Sequence, residues 1–229
     1  MRLLDRGKNA RKFLEGFSGF MHCDGYEGYN KVSAITRVGC WAHLRRKFHE
    51  GIPKTETKTK SQCEIGKEYC DSLFRIEREI ASLPPDERLL KRREKAIPVL
   101  NEFRNWVDHT NALSSSILGK ALAYAKKQKT YLMNYLKDGE CQLSNNLAES
   151  SIRPFVVGRK AWNFSASTKG AASSGIAYSL IQTAKANGLD AYKYLKYLFE
   201  ELPNIPFKSD PELLDAYLPR SQTVQDQCK

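Results

Sequence analysis

The chain has 229 residues and a mass of 26.1 kDa, which is enough for one large domain or two small ones with a sizeable core. Its 41% hydrophobic and 28% charged residues are typical of soluble globular proteins and exclude collagen-like, mucin-like and wholly disordered chains. No apolar run approaches the roughly 18 to 20 residues of a membrane span, and the first residues lack the apolar core of a secretory signal. We therefore expect a cytoplasmic protein without a membrane partner, in which the six scattered cysteines are reduced.

The positive charge is concentrated in two segments. Lys and Arg number 37 against 26 Asp and Glu, a net charge of +11 with a pI near 9.3. Residues 1–50 carry ten basic and five acidic side chains, and residues 111–190 carry ten and four, whereas residues 51–110 are almost balanced with twelve and eleven. A surface built by the two basic segments together would attract phosphate groups, although solubility alone could also explain the excess.

The first fifty residues indicate two strands between helices. The patterns predict, in order, a helix over 8–16, a strand over 17–23, a turn or short helix over 26–30, a strand over 34–38 and a helix over 40–50. The first strand breaks at Asp24-Gly25, so it presents Asp24 at its carboxyl end. The sequence from 51 to 60 is typical of an exposed linker.

The middle of the chain predicts a helical hairpin. Apolar residues recur every three or four positions over 62–80 and again from 86 to 107, with the Pro84-Pro85 break between them. Pro98 is expected to kink or end the second helix. Cys63 and Cys70 are seven positions apart and are expected to share a face that packs the hairpin. Residues 121–136 predict one more helix.

The polar run that begins at Asn145 predicts a short helix. Asn145 and Asn146 are N-cap candidates, and the helix is expected to stop before Pro154, with Asn145, Glu149 and Arg153 on one face. Downstream we expect a basic, aromatic loop or strand over 158–164, a helix over 171–187, a helix over 192–201 capped by Asp190, and a loosely structured proline-containing tail.

Two carboxylates are candidates for catalysis. Asp24 could be a metal-binding carboxylate or a turn-forming aspartate, and Glu149 could lie on an active-site helix or on an ordinary surface helix. Each lies in one of the basic segments, and phosphoryl-transfer sites need carboxylates that hold divalent metals within a field that attracts phosphate. The sequence shows no nucleotide-binding glycine loop and no serine-hydrolase elbow, so it gives no support to those classes.

Several basic and aromatic side chains are candidates for contact with nucleic acid. Near Glu149 they are Arg153, Arg159, Lys160 and Trp162, and on the predicted helix 40–50 they are Arg45 and Arg46. By contrast, the run Lys126-Lys127-x-Lys129 is typical of a solvated helix face.

Cys40 and His43 form the spacing of half a zinc site. A zinc ion needs about four ligands, usually from two closely spaced pairs, and the sequence offers no second pair of comparable spacing. We therefore do not expect zinc, and expect Cys40 to be buried beside a strand end with His43 on the following helix.

Several motifs, in the right order, closely resemble transposases of the insertion sequence 66 family. They are Phe17-Ser18-Gly19-Phe20 with Asp24-Gly25-Tyr26-Glu27-Gly28-Tyr29-Asn30, the run Gly39 to Phe48, the run Leu143 to Pro154, Gly158 to Trp162, Tyr178 to Lys185, and the stretch around Leu213 to Leu218. The resemblance spans nearly the whole chain.

The resemblance implies the catalytic core of a DDE-type transposase, in which two aspartates and a glutamate bind two magnesium or manganese ions within a ribonuclease H-like fold. Asp24 matches the second carboxylate and Glu149 the third. The resemblance also implies that Arg153, Arg159 and Lys160 contact the DNA backbone. The implied partners are the DNA of insertion-sequence ends and targets, and the implied location is the bacterial cytoplasm in association with the nucleoid.

The implied fold is α/β: a partial ribonuclease H-like core without its N-terminal strands, a large helical insertion and a mostly helical C-terminal part. The expected organisation is a core segment over 1–50, the insertion over 51–136, a return to the core over 137–190, and a C-terminal helix and tail over 191–229.

One departure from the family pattern concerns the first catalytic aspartate. Only 23 residues precede Asp24, and Asp5 precedes a helix rather than ending a strand, so it is no substitute. The family's amino-terminal DNA-binding and zinc-binding regions are absent as well. The sequence thus predicts the carboxy-terminal part of a transposase, from a truncated or interrupted gene, that is inactive or nearly so alone. The alternative is a non-catalytic DNA-binding or assembly module that forms homo-oligomers or mixed oligomers with an intact transposase.

Overall fold

The computed structural model describes residues 7–55, 59–161 and 165–229, and these fall into two compact units. The first unit is Met1–Leu147 and the second is Ala148–Lys229. Within these ranges, none of the helices combines the length and the apolar character that crossing a membrane requires. The four-segment organisation expected from the sequence stays a prediction.

The first unit begins with a small parallel sheet. After helix α1 (Lys8–Phe13), strand β1 (Gly19–Cys23) and strand β2 (Ile35–Gly39) pair in parallel, joined through a 3-10 turn at Glu27–Lys31. The register aligns Gly19 with Ile35 and Cys23 with Gly39. Both strands were expected from the sequence, and because they run in parallel, Asp24 and Cys40 follow them at the same edge of the sheet.

Five helices complete this unit. They are α2 (Trp41–His49), α3 (Gln62–Glu79), α4 (Pro85–His109), α5 (Ile117–Lys127) and α6 (Lys129–Met133), followed by a 3-10 turn at Asn134–Lys137. Helix α3 begins at a capping box, in which the Ser61 hydroxyl accepts from the Glu64 amide while the Glu64 carboxylate accepts from the Ser61 amide. The expected helical hairpin is therefore confirmed as α3 and α4.

The core of the first unit lies between α2 and the hairpin. Trp41 and Phe48 of α2 pack edge-on against Phe103 of α4, with ring centroids 5.4 and 6.4 Å apart. Cys63 and Cys70 are both buried on α3, as expected from their spacing. These aromatic contacts hold α2 against the hairpin, and the N-terminus of α2 directly follows the sheet.

Pro98 does not end the second helix of the hairpin, contrary to one of the two expected outcomes. Helix α4 continues through it and buries Ala96 before it and Leu100 and Phe103 after it. Pro98 is exposed, so the carbonyl that loses its intrahelical donor can accept from water while the buried face keeps its packing. The predicted helix over 121–136 is instead divided at Gln128 into α5 and α6.

The second unit is helical. It comprises most of α7 (Asn146–Ala161), then α8 (Thr168–Ala186), α9 (Ala191–Glu201), 3-10 turns at Leu202–Asn204 and Pro211–Tyr217, and α10 (Gln222–Cys228). Helix α7 runs through the exposed Pro154 and includes Gly158–Ala161, so the expected stop before Pro154 and the expected loop or strand from 158 are wrong for these residues. The remainder of that predicted loop, residues 162–164, lies outside the described residues.

The C-terminal tail is folded, contrary to the expectation of a loose segment. Val224 and Cys228 of α10 are buried in a cluster with Tyr194 and Leu198 of α9. The Tyr194 hydroxyl donates to the Tyr217 carbonyl at 3.0 Å. As expected, Asp190 caps α9, its carboxylate accepting from the Lys193 amide at 2.8 Å, but that helix also provides the surface on which the tail packs.

Taken by class, the described chain is a helix-rich mixed fold with a two-stranded sheet, which is the coarse part of the expected α/β class. The partial ribonuclease H-like core stays a prediction.

Candidate active site

Asp24 lies directly after β1, at the edge of the sheet where both strands end. Its Oδ1 accepts a hydrogen bond from the Tyr26 amide at 2.9 Å, and the residue is half-buried. The turn-forming role weighed from the sequence is therefore real. It does not exclude the metal-binding role, because an ionised carboxylate has about four lone-pair positions and this bond uses one.

A buried arginine holds the loop that follows Asp24. Arg37 of β2 is 7% exposed, and its guanidinium donates to the backbone carbonyl of Asp24 at 3.3 Å and to the side-chain oxygen of Asn30. Its Nε also donates to the Cys23 sulfur at 3.4 Å, and its guanidinium carbon stands 4.1 Å from the ring centroid of Tyr131. These contacts fix both ends of the loop that presents Asp24.

The turn after Asp24 packs directly on the junction of α5 and α6. A Cβ at Gly25 would lie 3.0 Å from the side-chain nitrogen of Gln128 and 3.2 Å from the ring of Tyr124, so a larger residue would displace this contact. Burial, with smaller contributions from the nearby Cys40 and Asp24, raises the pKa of Tyr124 to about 12. The Tyr124 hydroxyl is therefore a neutral group close to Asp24.

The basic residues of α2 divide between two sides. Arg45 pairs with Asp71 of α3, which also accepts from Lys67 at 2.6 Å. Burial by itself would raise the pKa of Asp71, but the hydrogen bonds from these two cations outweigh it and the pKa is lowered. Arg46 is exposed. Arg45 thus belongs first to a network between helices, while Arg46 keeps the exposure that a DNA contact needs.

Lys47 is the α2 cation that contacts the ring of Tyr124, and sequence reasoning did not select it. Its ammonium lies 4.9 Å from the ring centroid of Tyr124, the same ring that packs on Gly25. A cation on the ring that packs against the turn after Asp24 is a group that a phosphodiester could contact. The signal for Lys47 was present as one of three consecutive basic residues, but the face of α2 that each occupies depends on packing.

The segment before α7 is tied to the sheet and to α2. The Gln142 amide donates to the Nε2 atom of His22 on β1 at 2.8 Å, and the Trp41 amide donates to the Leu143 carbonyl at 3.0 Å. Burial lowers the pKa of His22, although its contact with the backbone of Gln142 opposes this change, and the lowered pKa favours the neutral imidazole. Asn145 is 9% exposed, and its side-chain oxygen accepts no hydrogen bond from the residues that the structure describes.

The remaining candidates belong to α7 or follow it. Glu149 lies in the first turn of α7 and is partly exposed, and Arg153 is exposed one turn later. Arg159 and Lys160 fall in the last turn of α7, and Trp162 lies outside the described residues. Asp24 belongs to the first unit and Glu149 to the second, and their pairing in one site stays a prediction.

Cys40 and His43 occupy the places that the sequence predicts. Cys40 is buried at the N-cap of α2, and His43 lies on that helix. Over the ranges 7–55, 59–161 and 165–229, no group of three or more His, Cys, Asp and Glu side chains is arranged to hold a metal ion.

A carboxylate at the carboxyl edge of a parallel sheet, with a buried arginine on its backbone carbonyl, is compatible with a site for phosphate-containing substrates. The comparison with protein families defines the class further. The chain belongs to the transposase IS66 family, whose model matches residues 5–173, and the IS66 C-terminal element matches residues 179–219. The family membership that the sequence motifs implied is therefore confirmed.

Curated relatives come from Sinorhizobium fredii (strain NBRC 101917 / NGR234) and carry the descriptions uncharacterized protein y4hP, y4qI and y4jD. Their identities to this chain are 32% over 228 residues, 30% over 200 and 29% over 206. The matches cover 91%, 80% and 85% of this chain but only 41%, 36% and 40% of the relatives. The chain thus spans less than half the length of these proteins. No solved structure matches it.

Proposed function

We propose that this chain carries the second and third carboxylates of a DDE-type transposase site, Asp24 and Glu149, which act in cleavage and joining of DNA phosphodiesters. The observation that carries the proposal is the position of Asp24. It follows a parallel strand at the edge where ligands of such sheets bind, inside a family match that extends over both carboxylates.

The covalent structure is compatible with a shared site. Although 125 positions separate the two carboxylates, Leu143 accepts a hydrogen bond from the first amide of α2, immediately after the sheet. Glu149 follows six residues later, and an extended chain spans at most about 3.5 Å per residue. The chain therefore returns to the sheet just before it enters the helix that carries Glu149.

The donor set fits magnesium or manganese. Both ions prefer oxygen ligands, and the two carboxylates supply them. The buried side-chain oxygen of Asn145, which has no hydrogen-bond partner among the described residues, is a third donor of the right type close to Glu149 in sequence. When bound, a divalent ion supplies Lewis-acid stabilisation of the charge that develops on phosphodiester oxygens. The chain's own part is to present the carboxylates, with Arg37 fixing the Asp24 loop, and to hold DNA through Lys47, Arg46 and Arg153.

We also propose that the chain alone cleaves DNA poorly. It supplies two of the three carboxylates that the resemblance implies, so a two-metal site would lack one of its ligands. Two carboxylates still bind one ion weakly.

The first test measures manganese binding to the intact chain by electron paramagnetic resonance of the free ion. Asp24→Asn and Glu149→Gln should each weaken binding strongly, because each removes a ligand, while Asp108→Asn, an exposed carboxylate change on α4, should not. Binding that neither site variant alters would refute the shared site.

The second test is a nicking assay on DNA that contains insertion-sequence ends, with magnesium or manganese. We expect little cleavage by the chain alone. Robust cleavage that Glu149→Gln abolishes would support the site and contradict the proposed inactivity, because it would show that two carboxylates suffice.

The second candidate function is a DNA-binding or assembly module without catalysis, and the concentration of the +11 charge in two segments favours it. Metal-independent DNA binding with a steep salt dependence, unaffected by Asp24→Asn, would support this function over the catalytic one. Mixed oligomers with an intact transposase would appear in co-purification of the two chains.

A further inference from the structure

The segment over 138–145 connects the 3-10 turn at Asn134–Lys137 to α7 without regular secondary structure. Its backbone groups cannot pair within a helix or strand, so each buried carbonyl needs another donor. The structure supplies these donors from the helical hairpin α3–α4, which the sequence presents only as an insertion between the two candidate carboxylates.

Arg92 of α4 is the centre of this arrangement. It is 1% exposed, and its Nε and Nη2 atoms donate to the two carboxylate oxygens of Glu77 on α3, both at 2.8 Å. Its Nη1 donates to the carbonyls of Tyr135 at 2.9 Å and Asp138 at 2.7 Å. Its Nη2 donates also to the carbonyl of Cys141 at 2.9 Å. All five N–H groups of a guanidinium can be satisfied by these five acceptors.

Two neighbouring arginines of α4 hold the same segment. Arg88 donates to the carbonyl of Gly139 within the segment at 3.3 Å, and Arg93 donates at 2.9 Å to the carbonyl of Leu136 in the 3-10 turn that leads into it. At Gly139 the backbone passes so close to α4 that a Cβ would lie 1.8 Å from the Pro85 carbonyl oxygen. We call Arg88, Arg92 and Arg93 the carbonyl clamp.

The far end of the segment is fixed to different elements. Gln142 donates to His22 of β1, and Leu143 accepts from the first amide of α2. The segment is therefore held on one side by the hairpin and on the other by the sheet that presents Asp24. Immediately after it, the chain enters α7, which carries Glu149.

We propose that Arg92 is a positioning residue that sets the path of the chain into α7 and thereby the placement of Glu149 for metal binding. The inference rests on the proposed function and adds a role for the hairpin: the insertion braces the segment that leads to the third carboxylate. A guanidinium suits this role because its five donors lie in one rigid plane, so the three carbonyls can be held in only one arrangement.

The test compares Arg92→Lys with Lys95→Gln, which breaks the exposed ion pair Lys95–Glu79 between the same two helices. Lysine keeps the charge but cannot reach five acceptors in a plane. We expect the exchange rate of the Gln142 amide to rise about tenfold in Arg92→Lys, since loss of its support opens the segment locally. The manganese dissociation constant should rise about tenfold too, as for other residues that orient metal ligands. Lys95→Gln should change neither.

The double variant Arg88→Gln/Arg93→Gln provides a second route if Arg92→Lys does not fold. It leaves the Arg92–Glu77 pair in place and should give smaller changes in the same direction. Unchanged exchange at Gln142 would overturn the clamp.

The manganese arm separates failure of the clamp from failure of the proposed function. Suppose that Asp24→Asn and Glu149→Gln abolish manganese binding, but Arg92→Lys speeds exchange of the Gln142 amide without changing the manganese affinity. Arg92 would then have a structural role only, and the positioning role would be overturned. Binding that Asp24→Asn and Glu149→Gln leave unaltered would refute the proposed site itself, and the positioning role would fall with it.

Discussion

Gly139→Ala tests how tightly the 138–145 segment is fitted against α4. The new Cβ would lie 1.8 Å from the Pro85 carbonyl oxygen and 2.5 Å from its carbon, both backbone atoms that no rotamer change can move. Ordinary contact requires a separation larger by roughly 1.5 Å. A shift of that size takes the bonds from Arg88 to Gly139 (3.3 Å) and from Arg92 to Asp138 (2.7 Å) out of hydrogen-bonding range.

Loss of these two bonds sets the expected magnitude. A hydrogen bond from a charged donor contributes about 1.5–3 kcal/mol, so we expect the free energy of unfolding of the first unit to fall by about 3–6 kcal/mol. That is a large part of the total of about 5–15 kcal/mol that is typical of a domain.

Urea unfolding measures the effect, with the fluorescence of the buried Trp41 and the partly buried Trp106 as probe of the first unit. The matched control is Gly175→Ala in α8, where a Cβ would meet nothing within 4 Å. This change should raise the helix stability by about 0.5–1 kcal/mol when followed by far-ultraviolet ellipticity. A Gly139→Ala protein whose unfolding free energy lies within about 1 kcal/mol of the parent would refute the reasoning, because the segment would then yield without loss of its bonds.

Two further predictions concern pH and DNA. Burial lowers the folded-state pKa of His22, so its contribution to stability is fully present above the ordinary pKa of about 6.5 and is lost as the pH falls through the folded pKa. Chemical unfolding measured between pH 7.5 and 5 should therefore show that the free energy of unfolding falls with pH. His22→Gln should reduce this fall, whereas His49→Gln, a change at an exposed position, should not. If the free energy of unfolding has the same dependence on pH in the parent and both variants, His22 is not the cause. Lys47→Gln should weaken DNA binding and reduce the slope of log affinity against log salt concentration by about one. The control is Lys120→Gln, a change at an exposed position of α5. An unchanged slope in Lys47→Gln, or an equal effect of Lys120→Gln, would contradict a specific phosphate contact by Lys47.

The parts of the fold that were predictable are those whose signals are local. The strand that ends at Cys23, before Asp24-Gly25, and the helix that begins at Gln62, after its N-cap Ser61, each have a boundary that adjacent residues indicate. The prolines were harder to interpret, because Pro98 and Pro154 are both exposed and the helices continue through them. Whether a proline ends a helix depends on where its unpaired carbonyl points, and that follows from tertiary packing.

The candidate site shows the same division. Asp24 was identifiable from its place at a strand end, whereas the groups that surround it come from positions remote in sequence. Tyr124 and Gln128 pack on the Gly25 turn from a helix junction about a hundred residues away, and sequence periodicity contains no information about such pairings. Arg37 gave one signal that could have been used, since a charged residue within a short apolar strand requires a specific partner.

The Arg92–Glu77 pair is better explained by specificity than by stability. Taking two charges out of water costs several kcal/mol per ion, so a buried ion pair by itself is weak evidence that it stabilises a fold. An apolar pair in its place could pack α3 against α4 equally well, but it would leave the carbonyls of Tyr135, Asp138 and Cys141 without donors. The guanidinium satisfies all three while Glu77 neutralises its charge, so the pair ties these three carbonyls to the hairpin. A long insertion between two carboxylates of one site is thus compatible with catalysis if the insertion itself specifies how the chain returns.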